Sequence, residues 1–190
     1  MPADSFRILL ISGSLRDRST NTALLRTARE VAPAEVEAVF YDGMAGLPHF
    51  NPDDDAEGAP VDPAVAALRA AIHAADALLV STPEYAGALP GSFKNLLEWT
   101  VGDASTYRKP IAWVNVSARG PGGGANAHAS LRLVLGYVHA EIVEDACAHI
   151  PVDHGAVGED GLIADDEIRS RVAAVLAALA THAEIHHQVR

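Results

Sequence analysis

Short apolar runs alternate with longer segments of helical periodicity along most of the chain. Several of these runs are continuously apolar, which is typical of parallel strands covered on both faces. Strands are predicted over residues 7–12, 36–41, 77–82, 111–117 and 141–146, and helices over residues 20–32, 63–75, 92–101, 125–139 and 165 to about 186. This order predicts an α/β fold in which a doubly wound, five-stranded parallel sheet has right-handed crossovers and helices on both faces.

Length and composition narrow the classes of protein. The 190 residues are enough for one well-buried core, and no stretch has the composition of a linker, so a single domain over residues 1–190 is predicted. The net charge of -11 repels a phosphate backbone and leaves no basic surface for nucleic acid or anionic lipid. No run reaches membrane-spanning length.

The single cysteine and the N-terminus indicate the compartment. Cys147 has no partner for an internal disulfide, and the first residues lack the apolar stretch of a signal peptide, so we expect a cytoplasmic protein. Cys147 itself is predicted to be a buried small residue rather than a redox centre.

Residues 42–62 form a long connection rich in proline and acidic residues. The three adjacent carboxylates at residues 53–55 lack the alternate spacing, the glycine and the distal glutamate of a calcium loop. We therefore expect a solvated excursion here, with a lid as the alternative. His182, His186 and His187 lie close together near the end of the chain, but a histidine pair supplies only half of the ligands of a structural site, so no metal site is predicted.

The segment GSLRDRSTN, residues 13–21, joins the first predicted strand to the first helix. A turn of this kind directs backbone N–H groups and the positive end of the helix dipole at a bound anion. Neutral donors come from Ser14, Ser19, Thr20 and Asn21. Arg16 adds a guanidinium suited to phosphate. Because the Walker and G-x-G-x-x-G patterns are both missing, the segment predicts a site for one phosphate monoester, as in a mononucleotide.

Two further loops follow the third and fourth predicted strands. In STPEYAGALPGSFKNLLEW, residues 81–99, prolines and glycines shape a turn beside the aromatic ring of Tyr85. In SARGPGGGAN, residues 117–126, four glycines permit close backbone approach to a ligand. Each loop alone is equally typical of an ordinary turn or strand exit. Because such loops meet where the strand order of a flavodoxin-like sheet reverses, together they predict one site for a mononucleotide with a planar ring.

The segments GSLRDRSTN, TPEYAGALPGSFKN and GGANAHASLR, in this order and spacing, resemble the NADPH-dependent FMN reductase family over residues 7–143. The resemblance implies FMN as the cofactor and NADPH or NADH as the hydride donor. It implies that the FMN phosphate is bound by Ser14, Arg16, Ser19, Asn21 and Thr22, that the isoalloxazine ring is lined by Pro83, Glu84, Tyr85, Ala86 and Gly87, and that its other side is closed by Ser117 and Gly120. Many relatives have Asn in place of Ala86 and Arg in place of Asn126, so backbone groups take over recognition beside the ring of this chain.

The resemblance further implies an FMN-dependent NAD(P)H oxidoreductase that passes electrons to a small-molecule acceptor such as a quinone, an azo compound, free flavin or chromate. Because the cofactor supplies the redox chemistry, no catalytic side chain is predicted. The alternative is a flavodoxin-type electron carrier or flavin-binding partner module without turnover of its own.

The fourth predicted helix bears on the oligomeric state. It carries Leu131, Leu133, Leu135 and Tyr137, which are more apolar positions than one buried stripe requires. Members of the family that the chain resembles often pair through helices beside the flavin. We therefore expect a homodimer or homotetramer; the alternative is that all four side chains face the sheet of their own chain.

Overall fold

A parallel sheet forms the centre of the molecule. The computed structural model describes residues 5–56, 58, 60–120 and 122–188, with side chains of the last helix described as far as residue 184. The strands are β1 (Phe6–Ser12), β2 (Val36–Tyr41), β3 (Ala77–Ser81), β4 (Pro110–Asn115), β5 (Glu141–Ile142) and β6 (Ala148–His149). Their order is β2-β1-β3-β4-β5, β6 also pairs with β4, and every pair is parallel. This order confirms the predicted flavodoxin-like, doubly wound fold class.

Two helical layers cover the sheet. The helices are α1 (Thr20–Glu30), α2 (Pro63–His73), α3 (Gly91–Glu98), α4 (Ala125–Tyr137) and α5 (Asp166–Gln188). Since side chains alternate along a strand, Ile8 and Leu10 pack with α1 and α5, whereas Leu9 and Ile11 pack with α2, α3 and α4. This burial on both faces explains the continuously apolar strands. Among the described residues, none of the helices is both long and apolar enough to cross a membrane.

The fifth predicted strand, residues 141–146, is wrong as a continuous element. The chain leaves the sheet after β5, forms a 3₁₀ turn at Glu144–Ala146, and returns as β6. The register on β4 shifts by three residues, because Pro110 lies opposite Glu141 but Val114 lies opposite Ala148. Glu144 turns outward to form an ion pair with Arg132 of α4. A tertiary ion pair of this kind gives no periodic signal in the sequence.

The connection over residues 42–62 is fastened to the protein at residues 48–50, although most of its described residues are exposed. The side chain of Asn95 donates to the Pro48 carbonyl oxygen at 2.8 Å and accepts from the Phe50 backbone N–H at 2.7 Å. The indole N–H of Trp99 also donates to the Pro48 oxygen, at 2.9 Å. The solvated interpretation is therefore wrong for this anchored stretch, but it describes most of the described residues over 51–62.

The carboxylate of Asp55 lies in the same connection. Its side chain is only 7% exposed, and both oxygens accept from Nη2 of Arg69, at 2.7 and 2.8 Å. Arg69 in turn donates to the Trp99 carbonyl oxygen. By contrast, Asp53 and Asp54 are exposed, so the solvated interpretation describes only these two of the three acidic residues.

Removal of the Arg69 side chain tests this anchor. Arg69→Ala leaves the Asp55 carboxylate buried without its cation, and we expect it to lower the free energy of unfolding by about 3 kcal/mol. Arg29→Ala is the matched control, because Arg29 pairs with Glu30 where both side chains are about half exposed, and it should cost roughly 0.5 kcal/mol. Urea unfolding of both variants measures the difference. Equal losses would contradict the anchoring role.

Candidate functional site

A cavity of about 380 Å³ opens at the carboxyl ends of β1, β3 and β4. Its size is within the range of small-molecule sites. The loops after the three strands contribute most of its lining, and the segment after β6 contributes the rest. The lining includes these predicted site residues: Ser14, Arg16, Ser19, Asn21, Pro83, Glu84, Tyr85 and Ser117. Thr22, Ala86, Gly87 and Gly120 do not belong to that lining, and their roles stay predictions.

The first loop reaches the cavity at the start of α1. Ser19 is the N-cap of this helix, and its Oγ accepts from the Thr22 backbone N–H at 3.4 Å. The hydroxyl of Thr22 lies 2.8 Å from Ser12 Oγ, so it is engaged by the protein. Arg16 is exposed, and its guanidinium has no ion pair within the part of the chain that the structure describes. This end of the cavity therefore combines a helix N-terminus with a free cation.

Asn21, in the first turn of α1, is held by Ser81 at the end of β3. Ser81 Oγ lies 2.9 Å from Asn21 Oδ1 and 2.9 Å from the Val114 carbonyl oxygen. Because a hydroxyl has one hydrogen, these two acceptors share it. The Asn21 amide nitrogen is left as a donor beside the cavity.

Gly13 lets the first loop approach the third. A Cβ at this position would lie 2.6 Å from Cβ of Thr82 and 3.1 Å from the Phe93 ring. Both neighbours are buried, so neither has room to move aside. A residue with a side chain here would push the two loops apart.

The third loop contains a tight turn from Tyr85 to Ala88. These two residues exchange backbone hydrogen bonds of 3.1 Å, and the central residues Ala86 and Gly87 have φ of +50° and +75°. Positive φ at both central positions is the geometry of a type I′ turn, which favours Asn-Gly. Ala86 is thus strained, because a non-glycine residue rarely adopts positive φ. The Tyr85 side chain stands at the mouth of the cavity, and the residue is 43% exposed.

Several hydrogen bonds hold the glycine-rich fourth loop. Asn115 donates from Nδ2 to the Gly123 carbonyl oxygen at 2.8 Å and accepts from the Ser117 N–H at 2.9 Å. His149 Nε2 lies 2.8 Å from the Ser117 oxygen, and His128 Nδ1 lies 2.7 Å from the Gly124 oxygen. Since carbonyl oxygens only accept, each imidazole donates from that nitrogen.

Glu84, which is predicted to line the isoalloxazine ring, also makes hydrogen bonds to the protein. Its Oε2 accepts from the backbone N–H groups of Asn126 and Ala127, at 3.0 and 3.2 Å. Both are in the first turn of α4, so the carboxylate of the third loop satisfies the helix that follows the fourth. Glu84 still belongs to the cavity lining.

Sequence reasoning missed part of the cavity wall. The predicted strand over residues 111–117 includes Asn115, which lies at the end of β4 and lines the cavity. A polar residue at the end of an apolar run is the sequence signal that indicates such a position. Asp153 and His154 also line the cavity. They were missed because the fifth strand was predicted to end at residue 146, whereas the chain returns to the sheet as β6 just before them.

Burial fixes the charge state of two groups near the site. His128 is 9% exposed, and burial lowers the pKa of its imidazole, which favours the neutral ring at pH 7. Burial also raises the pKa of the Cys147 thiol to about 11. The thiol therefore stays protonated at neutral pH, and a protonated thiol is a poor nucleophile and a poor metal ligand.

Histidines among the described residues form no cluster of metal ligands. In the described part of the chain, no group of three or more His, Cys, Asp and Glu side chains could hold a metal ion. His182 instead lies 2.7 Å from Glu141 Oε1. The side chains of His186 and His187 lie outside the described residues.

A second cavity of about 390 Å³ adjoins the first beyond Ser19. It is lined by α1 residues, including Thr22 and Arg26, by Arg18 and by residues 157–161. Arg16 and Arg18 therefore belong to different cavities, although only one residue separates them. The predicted phosphate ligand Thr22 belongs to this second cavity.

Comparison with known proteins decides the family. A sequence profile described as NADPH-dependent FMN reductase matches residues 6–155. The chain therefore belongs to the NADPH-dependent FMN reductase family. The match contains β1 to β6 and all the loops that line the cavity at the strand ends.

Relatives of this family member are similar over most of their length. An NAD(P)H-dependent FMN reductase from Pseudomonas aeruginosa is 35% identical over 179 residues, which cover 93% of this chain and 95% of that protein. A quinone reductase from Escherichia coli is 31% identical over 144 residues, 74% of this chain and 75% of that protein. The structure of FerB, a flavoenzyme NAD(P)H:(acceptor) oxidoreductase from Paracoccus denitrificans, has a TM-score of 0.80 at 28% identity and covers 95% of this chain and 98% of that chain.

Replacement of Ala86 tests the strained turn of this FMN reductase family member. Ala86→Asn restores the preferred Asn-Gly pair and should raise the free energy of unfolding by about 1 kcal/mol, because Asn tolerates the left-handed conformation better than Ala. Ala86→Val is the matched variant, and it should lower the stability because a β-branched residue tolerates positive φ poorly. Urea unfolding of the apoprotein measures both. A Val variant as stable as the Asn variant would show that the turn is not strained.

Proposed function

We propose that this member of the NADPH-dependent FMN reductase family takes a hydride from NADPH or NADH onto bound FMN and passes the electrons to small-molecule acceptors of the quinone type, with azo compounds, free flavin and chromate as further candidates. The observation that carries the proposal is the cavity itself, in which one anion-binding end is joined to walls formed by two turn-rich loops. FMN, when bound, supplies the redox chemistry. The protein holds the cofactor and controls what reaches it.

The anion-binding end fits a single phosphate. Two helices, α1 and α4, begin at the cavity wall. The first-turn N–H groups of α4 are occupied by Glu84, which leaves the start of α1, together with Arg16 and Asn21, for an anion. One dianionic phosphate suits this arrangement better than the two linked phosphates of a dinucleotide.

The remaining walls suit a planar ring that polar backbone groups recognise at its edge. The third loop brings Pro83 and Tyr85 to one side, and the fourth brings Ser117 and glycines to the other. A Cβ on Gly123 would overlap Ser117 Oγ, so the chain passes here without side-chain bulk. Donors and acceptors of the backbone are therefore close to where a flavin edge would bind.

The acceptor enters from the open mouth of the cavity. Side chains that would fix the shape of one acceptor are few, so we expect broad specificity within planar, reducible compounds. The names of the similar proteins from Pseudomonas and Escherichia coli support both halves of the reaction, flavin-dependent use of NAD(P)H and reduction of quinones. In this proposal residues 1–190 act as one FMN-binding domain in the cytoplasm.

The phosphate end provides the first test. Arg16→Ala should weaken FMN binding by about 1.5–3 kcal/mol, the range for a hydrogen bond to a charged group, which is roughly 10- to 150-fold in Kd. Arg18→Ala is the matched control, because Arg18 lines the adjoining cavity and should leave the Kd unchanged. Quenching of flavin fluorescence on titration into the apoprotein measures both. Equal effects of the two substitutions would remove Arg16 from the site.

Turnover provides the second test of the same proposal. NADPH or NADH added without oxygen should bleach the bound flavin rapidly, and steady-state rates with 1,4-benzoquinone should give parallel double-reciprocal lines, because donor and acceptor use the same face in turn. A yellow protein that stays oxidised until a separate reductase is added would indicate an electron carrier instead. Intersecting lines would show a separate acceptor site.

We also infer that the protein forms a homodimer or homotetramer. This inference is based on the face of α4 that points away from the sheet. Leu131 and Leu135 are fully buried against their own chain, whereas Leu133 and Tyr137 are each 77% exposed. These two lie four residues apart and therefore share one helix face. Two large apolar side chains, exposed together on one face, favour burial against a second copy.

Substitution on this face tests the assembly. Leu133→Glu combined with Tyr137→Glu should lower the sedimentation coefficient to that of a monomer, because buried carboxylates oppose association. Ala174→Glu adds the same charge at an exposed position of α5 and should leave the assembly intact. A wild-type chain that sediments as a monomer at micromolar concentration would overturn the inference.

A further inference from the structure

We infer that Glu84 is a positioning residue that sets the separation of the two loops on either side of the ring site. The inference rests on the proposed function in one respect, the presence of a flavin ring between these loops. It assigns Glu84 a role through α4, in addition to any contact of its own with a ligand. The argument depends on the start of α4, on the reach of the Glu84 side chain and on the composition of the fourth loop.

The N-cap residue of α4 supplies no side-chain acceptor, and the Ala125 N–H donates to the nearby Gly122 carbonyl oxygen. The N-cap is Gly124, which has φ of +76° and makes no side-chain hydrogen bond. The first N–H groups of a helix need acceptors from outside the helix, and Ser, Thr, Asp or Asn at the N-cap normally supplies one. In α4 the N–H groups of Asn126 and Ala127 donate to Oε2 of Glu84, a residue 42 positions earlier in the chain.

This link joins opposite walls of the cavity. Pro83, Glu84 and Tyr85 belong to the third loop, and Gly122, Gly123 and Gly124 belong to the fourth. Glycines have no side chains with which to hold the loop in place. The position of the fourth loop at its α4 end therefore depends on the carboxylate of Glu84 together with the His128 ring, which donates to the Gly124 carbonyl oxygen. Asn115 holds the loop from the β4 side.

The hydrogen bonds of Glu84 allow the length of its side chain and its negative charge to be tested separately. A carboxylate near a helix N-terminus gains from the dipole and from charge-assisted hydrogen bonds. The link itself, however, needs only one acceptor oxygen at the right distance, because Oε2 alone takes both N–H groups. The other oxygen, Oε1, is 3.5 Å from Nδ2 of Asn126. In a glutamine variant an amide NH₂ group replaces this oxygen, and the Asn126 side chain can rotate to present its own oxygen to it.

Two substitutions therefore give opposite expectations. Glu84→Gln keeps the length and one acceptor oxygen but removes the charge, and FMN binding should weaken by less than about threefold. Glu84→Asp keeps the charge but is one methylene too short to reach α4, and FMN binding should weaken by about tenfold or more, as expected for the loss of a helix cap that also fixes a loop. The vibronic shape of the flavin absorption band should change in the Asp variant only.

Asp62→Ala is the matched control for the loss of a helix cap. Asp62 caps α2 by accepting from the Ala64 N–H at 2.7 Å, and it does not line the cavity at the strand ends. Its removal should lower the stability of the protein and leave the Kd for FMN and the absorption band unchanged.

Amide hydrogen exchange of the apoprotein adds a measurement that needs no flavin. The Asn126 and Ala127 amides should exchange faster in Glu84→Asp, and at the wild-type rate in Glu84→Gln and Asp62→Ala. Wild-type FMN binding by Glu84→Asp, or equally weak binding by all three variants, would overturn this inference alone. Absence of FMN binding by the unsubstituted chain would instead overturn the proposed function, and with it the role of Glu84 toward a ring.

Discussion

The close approach of the first and third loops is the constraint on which the site depends. β1 and β3 are neighbours at the point where the strand order reverses, and their loops diverge to opposite layers of helices. Gly13 and Thr82 bring the two loops together just beyond the strand ends. The start of α1 is thereby fixed beside the wall that the third loop provides. Without this contact the proposed anion-binding end and the proposed ring walls would belong to separate surfaces.

The features that could be predicted from the sequence are those that neighbouring residues determine. The side chains from Ile8 to Ile11 are apolar on both faces of the strand, and such a continuous apolar run predicts a buried parallel strand. The phosphate loop is predicted from its place between the first apolar run and the first helical segment and from its polar donors, all of which are short-range features of the sequence. What escaped prediction depends on partners far along the chain. Asp55 is buried where Arg69 meets it, and the fifth strand divides at the turn in which Glu144 pairs with Arg132.

The two helix N-termini at the cavity are used in different ways. α1 carries its own cap and presents its remaining donors and a free arginine to the solvent. α4 starts from a glycine, and its donors are satisfied internally by Glu84. The same backbone physics thus gives a binding end in one case and a structural joint in the other. The sequence pattern of each loop does not reveal this difference, since both are rich in small and polar residues.

The division between β5 and β6 also affects how the molecule meets others of its kind. An uninterrupted strand at the edge of a sheet exposes a row of unpaired N–H and C=O groups, which is a template for aggregation through strand addition. Over residues 141–149 this row is broken after two residues by the outward turn at Glu144–Ala146. A charged pair between Glu144 and Arg132 stands at the break. An incoming strand would find neither a straight ladder nor an apolar surface, so the irregularity protects this edge against fibril-like growth.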